Sequence, residues 1–159
     1  MNKILIYSGQ IKSGKTTTLH EWAKEQNNID GILAPVINNK RHLLRIMTNE
    51  KKLLEQNDFT DKIINIGKYY FSQSVFEWGQ NQLLDSFNCK NEYIIIDEIG
   101  PLELRGEGLE PAVSKIISDK LNSKKIILVV REKLVDEVIK HYKLDKTGLF
   151  VPSGGFPSL

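Results

Sequence analysis

A chain of 159 residues, 40% hydrophobic and 26% charged, has the composition of a single globular domain large enough to bury a core. Its formal charge of +2 gives no argument for a nucleic-acid partner or a membrane surface, and no apolar run approaches the roughly 18 residues of a membrane span. The single cysteine, Cys89, excludes an internal disulfide framework, and with no signal-peptide pattern the expected location is cytoplasmic.

The first predicted element is a buried strand over Ile4 to Tyr7, which breaks at Gly9. A helix restarts after Gly14, with Leu19, Trp22 and Ala23 on one face. Between them lies Gly9-x-x-x-x-Gly14-Lys15-Thr16, a spacing that lets successive backbone N–H groups curl around a phosphate. The helix adds its unpaired amides and positive dipole end. Lys15 is expected to reach the outer phosphates, and the Thr16 hydroxyl to hold a Mg2+ that bridges them.

Residues 31–37 read as a second strand, irregular or at an edge because Pro35 cannot donate to a ladder. Asn38-Asn39 signals a turn, 40–47 a returning strand, and 48–51 another turn before Leu53-Leu54. Residues 31–54 thus form a small antiparallel meander whose Lys40, Arg41, Arg45, Lys51 and Lys52 are either a basic rim for an acidic partner or the solvated side of a hairpin. A short extended piece follows at 62–66, then a helix capped by Ser72 and running to about Phe87. Its Val75, Phe76, Trp78, Leu83, Leu84 and Phe87 recur at helical spacing, although Gly79 weakens the middle.

Tyr93-Ile94-Ile95-Ile96-Asp97 suits a strand buried on both faces of a parallel sheet. Its acidic end falls where open α/β sheets bind ligands. Asp97 can hold Mg2+ there, and Glu98 is placed to activate water against the terminal phosphate. Beyond it, 110–122 reads as a helix with Val113, Ile116, Ile117 and Leu121 on one face, 125–130 as a buried strand and 132–142 as an amphipathic helix. Residues 143–159 read as a tail with at most one short strand, at Leu149-Phe150-Val151. His20, His42 and His141 are scattered, and Cys89 lacks metal-type companions, so none is taken as a ligand.

The stretch Asp97-Glu98-Ile99-Gly100-Pro101-Leu102-Glu103-Leu104, paired with the glycine loop, resembles the small nucleoside-triphosphatase family known from thermophiles and, in animals, as cancer-related nucleoside-triphosphatase. Gly31-Ile32-Leu33-Ala34-Pro35-Val36 is similar to its second strand. The resemblance implies an α/β P-loop NTPase fold of three layers: a mainly parallel sheet, helices on both faces and a small antiparallel meander. The P-loop domain would span 1–142 and the tail 143–159. It also implies Mg2+-dependent hydrolysis of the terminal phosphate of ATP- or GTP-type nucleotides, with phosphate contacts from Gly9, Gln10, Ile11, Lys12, Ser13, Gly14, Lys15, Thr16 and Thr17. Metal ligation would fall to Thr16 and Asp97, and water activation to Glu98. Glu103 matches a family position without a derived role. The family's C-terminal Asn-Arg segment is absent here, and Arg131, just after a strand, is the first candidate for a transition-state arginine, Arg105 the second.

Two other functions fit the same motifs. A small-molecule or nucleotide kinase would add an arginine-bearing lid, and no arginine-rich insertion follows a central helix. A nucleotide-controlled switch would use the meander or the tail as a surface for a protein partner. The guanine-specific Asn-Lys-x-Asp segment is missing.

Overall fold

The computed structural model describes residues 3–9, 14–57, 62–145 and 147–150. In chain order the elements are β1 (Lys3–Gly9), α1 (Lys15–Lys24), β2 (Ile29–Leu33), β3 (Val36–Ile37), β4 (Lys40–Arg45), β5 (Lys51–Leu53), β6 (Ile63–Ile66), β7 (Tyr69–Ser72) and α2 (Gln73–Asn88). There follow β8 (Tyr93–Ile99), α3 (Pro101–Leu104), α4 (Ala112–Ser118), β9 (Lys125–Arg131), a 3-10 turn (Glu132–Leu134), α5 (Val135–His141) and β10 (Gly148–Leu149). The main sheet runs β10-β1-β9-β8-β2-β4-β3, with β5 also paired to β4. Every pairing from β10 to β2 is parallel, and every pairing made by β4 is antiparallel.

Strand periodicity builds three layers. Ile94 and Ile96 of β8, with Ile126, Leu128 and Val130 of β9, pack toward α2, α4 and α5. Ile95, Ile127 and Val129 point the other way, onto Leu19, Trp22 and Ala23 of α1. Both faces are covered, so the strands read as unbroken apolar runs, and each buried Ile or Leu contributes roughly 1.5–3 kcal/mol relative to exposure. Among the described residues no helix is long and apolar enough to cross a membrane.

Several elements differ from expectation. The strand expected over 31–37 divides into β2 and β3 because Pro35 lacks an N–H and the Ala34 N–H is used by a side chain, Asp97. The stretch before α2 is a hairpin, β6 against β7, closed by Gly67-Lys68. Ser72 caps α2 as expected, its hydroxyl accepting from the Val75 N–H at 3.2 Å. The helix expected to reach 122 stops at Ser118, where Asp119 Oδ1 accepts from the Leu121 and Asn122 amides and makes a turn. Leu121, expected on the packed face, is fully exposed. The last helix begins as a 3-10 turn, and β10 extends the sheet beside β1, with Val151 outside the described residues.

The basic rim also needs correction. Arg45 is buried, donating to Asp30 Oδ2 from Nε at 3.1 Å and Nη2 at 2.8 Å, and from Nη1 to Asp85 Oδ2 at 2.5 Å and Gln82 Oε1 at 2.9 Å. This paired arginine pins the meander to β2 and α2. Losing one partner of such a buried pair costs far more than the pair contributes, because the other charge is stranded.

Two further constraints shape the edge where β8 ends. Gly31 has φ +134, and a Cβ there would lie 2.1 Å from the Ile95 carbonyl oxygen. β2 can therefore pair with β8 only if residue 31 has no side chain. After β8, Glu103 staples the chain: Oε2 accepts from the Gly100 N–H at 2.9 Å and Oε1 from the Leu109 N–H at 3.0 Å. Gly108, at φ +66, leaves room for it, since a Cβ would meet Glu103 Oε1 at 2.2 Å. Burial outweighs these donors and pushes the Glu103 carboxyl up to about 7.

Gly31→Ala is expected to lose several kcal/mol, enough to lower the melting temperature by ~10 °C or more; a wild-type melt would contradict the close packing. For Glu103, the unfolded carboxyl titrates near ~4.3, so the folded state binds the proton more tightly. Its contribution to stability is complete below ~4.3, is lost as pH rises toward about 7, and is constant above. Thermal melts should fall across this window in the wild type and fall by less in Glu103→Gln, where the Asp97 carboxyl, raised to about 6, still contributes.

Candidate active site

Because β1, β9 and β8 are parallel, their C-terminal ends share one edge. The register sets Gly9 beside Arg131 and Asp97 beside Val129. Gln10, Ile11, Lys12 and Ser13, the middle of the expected phosphate loop, lie outside the described residues. Its two ends are defined. Gly9 closes β1, and Gly14, at φ 80, opens α1 with its carbonyl accepting from the Thr18 N–H at 3.0 Å. Gly14 has no side chain with which to cap this helix, whose N-terminus carries unpaired amides and the positive dipole end.

Lys15 is buried, its Nζ donating to the Gly9 carbonyl at 3.3 Å. Thr16, half-buried on the next position, donates from Oγ1 to Asp97 Oδ2 at 2.6 Å. Thr17 is exposed. The same Asp97 oxygen accepts the Ala34 N–H at 3.1 Å, so β2, β8 and α1 meet at one carboxylate. Asp97 is 2% exposed. Burial first, then the neighbouring Glu98 charge, push its carboxyl up to about 6, while Thr16, Ala34 and the Arg41 charge pull it down. A carboxyl so placed gains from any cation brought to it.

Glu98 faces another way. The β8–β9 register shifts between Asp97 and Ile99, and the half-buried Glu98 side chain accepts from Arg131 Nη2 at 3.1 Å. Arg131 therefore joins this cluster through Glu98. Arg105 does not: it pairs with Glu107 at 3.3 Å and lines a cleft of about 460 Å3 with Lys62, Asn65 and Gln73.

Two participants have no motif. The Ala34 amide is backbone, and in sequence Arg41 reads as part of the meander's basic rim. Arg41 Nη1 in fact donates to the Ala34 carbonyl at 2.7 Å. Only the tight Asn38-Asn39 turn hints that Arg41 folds back onto residues 34–36.

The donor set, one hydroxyl and one carboxylate oxygen, is hard and suits Mg2+. Among the described residues no group of three or more His, Cys, Asp or Glu could hold a metal alone. A cation held by Thr16 and Asp97 would keep further coordination positions open to water and phosphate, as Mg2+ commonly does.

Compared with known proteins, residues 3–151 match the family model described as NTPase. Nucleoside-triphosphatase THEP1 of Caldivirga maquilingensis is 28% identical over 79 residues, which are 50% of this chain and 41% of that protein. The chain thus matches less than half the length of this curated relative. Two solved structures share the fold. THEP1 from the hyperthermophile Aquifex aeolicus has a TM-score of 0.72 at 21% identity, covering 95% of this chain and 90% of that one. A human cancer-related nucleoside triphosphatase has a TM-score of 0.62 at 18% identity, covering 93% and 87%. With the family model spanning nearly the whole chain, this protein belongs to the NTPase family.

Proposed function

We propose that the chain is a Mg2+-dependent nucleoside triphosphatase that transfers the terminal phosphoryl group of ATP- or GTP-type nucleotides to water. The main support is the 2.6 Å hydrogen bond from Thr16 to Asp97, which joins the phosphate-loop helix to the acidic end of β8 across 81 positions of sequence. Two stretches read separately as phosphate loop and acidic strand end meet at one oxygen. Membership of the NTPase family supports the same activity.

In this reading the loop amides and the α1 N-terminus bind the phosphates, and Lys15 places its charge against the outer ones. Thr16 and Asp97 hold Mg2+, which when bound neutralises charge on the outer phosphate oxygens. Glu98 accepts the proton of the attacking water, and Arg131, bonded to Glu98 Oε1, fixes the direction in which that carboxylate points. Burial of Lys15 and Asp97 lowers the local dielectric, so each charge acts more strongly on the transferred group than it would in water.

Phosphate release and nucleotide binding, measured side by side, test these roles. Lys15→Ala should weaken nucleotide binding or turnover by about 2–5 kcal/mol. Glu98→Gln should bind nucleotide normally but release phosphate at least ~10²-fold more slowly. Turnover unchanged in Glu98→Gln would remove this glutamate from the mechanism.

A further inference from the structure

The hairpin between β3 and β4 is as tight as a hairpin can be. Asn38 and Asn39 both have positive φ, 50° and 62°, the pair required by a two-residue turn that follows the right-handed strand twist. Val36 consequently pairs with Arg41, and Ile37 with Lys40. The return strand lies back along the chain just before it: the His42 N–H donates to the Pro35 carbonyl at 2.8 Å, and Arg41 Nη1 to the Ala34 carbonyl at 2.7 Å. The Arg41 backbone is anchored as well, its N–H on Glu55 Oε2 at 3.1 Å and its carbonyl accepting from Leu54 at 2.9 Å and Glu55 at 3.1 Å.

Ala34 is the hinge of the matter. Standing before proline, it is confined to extended backbone. In extended backbone the N–H and C=O of one residue point to the same side, as they do in a hydrogen-bonded antiparallel pair. The Ala34 N–H goes to Asp97 Oδ2 and the Ala34 C=O receives Arg41. One residue therefore brings a carboxylate and a guanidinium to the same side of its backbone. The bond to Ala34 uses one of the five N–H donors that a guanidinium carries.

Arg131 is placed differently. Its Nη2 donates to Glu98, the proposed water-activating group, so the contact it makes serves that carboxylate. Resting on the hydrolase reading, we infer that Arg41 is the arginine supplied in cis to the terminal phosphate of the bound triphosphate, while Arg131 positions Glu98. The planar fork suits phosphate oxygens, and Ala34 ties it to the same sheet edge as Asp97, where negative charge is neutralised during transfer. The meander thereby becomes a structural part of the site: a two-residue turn and one proline hold its arginine in place.

The test compares Arg41→Ala, Arg41→Lys and Arg131→Ala with the wild type in three measurements. These are steady-state phosphate release, affinity for nucleoside diphosphate, and trapping of Mg2+–diphosphate with aluminium fluoride, which mimics the transferring phosphoryl group. Arg41→Ala should cut kcat by roughly 10²-fold or more and abolish trapping, with diphosphate affinity within about threefold of wild type. Arg41→Lys keeps a cation and a donor for Ala34 but loses the fork, and should still trap poorly; if the alanine variant fails to fold, this variant decides. Arg131→Ala should lose turnover and keep trapping. Wild-type trapping by a folded Arg41 variant, or loss of trapping only in Arg131→Ala, overturns the assignment while leaving hydrolysis intact. A wild type that neither releases phosphate nor traps the analogue overturns the hydrolase reading itself, and this assignment with it.

Discussion

A single buried carboxyl organises the molecule. Asp97 sits at the end of β8 with almost no exposure, held by a hydroxyl from α1 and an amide from the residue after β2. Burying a charge this way is costly unless it is paired. Here burial and the Glu98 charge outweigh two neutral donors and the Arg41 charge, and the carboxyl is pushed up to about 6. A divalent cation brought to this carboxyl would favour its charged form.

The surrounding fold is what makes that placement repeatable. Parallel pairing of β1, β9 and β8 delivers three loop-bearing ends to one edge. The absence of a side chain at Gly31 lets β2 approach β8 closely enough for the Ala34 amide to reach Asp97. On the far side, Glu103 holds the chain leaving β8 through two backbone amides, so the carboxylates of Asp97 and Glu98 are bounded by fixed structure before and after. Pinning of Arg45 by Asp30 and Asp85 fixes the meander in turn, and with it Arg41.

Much of this was legible in the residues. The glycine loop and the acidic strand end are local patterns, and each states its own chemistry. The apolar runs of β8 and β9 and the helical spacing in α2 are periodicities that burial on known faces requires. What escaped was set by long-range geometry. Arg41 and Arg45 look alike in sequence, two bases on one short strand, yet alternate neighbours send one to Ala34 and the other to Asp30. The Ala34 amide has no side chain to announce it. Glu103 is recognisable in sequence only as a motif position, because the Gly100 and Leu109 amides that converge on it carry no sequence pattern. The premature end of α4 follows from Asp119 preferring its local amides to helix continuation, a competition that apolar spacing does not register.

The central claim is that Thr16 and Asp97 share a metal with the bound nucleotide. Its most direct test is the thermal stabilisation produced by nucleoside triphosphate with Mg2+ compared with the same nucleotide and a chelator. The wild type should gain an additional upward shift only with the metal, and Asp97→Asn should show the same shift in both conditions. A full metal-dependent increment surviving in Asp97→Asn would contradict the account.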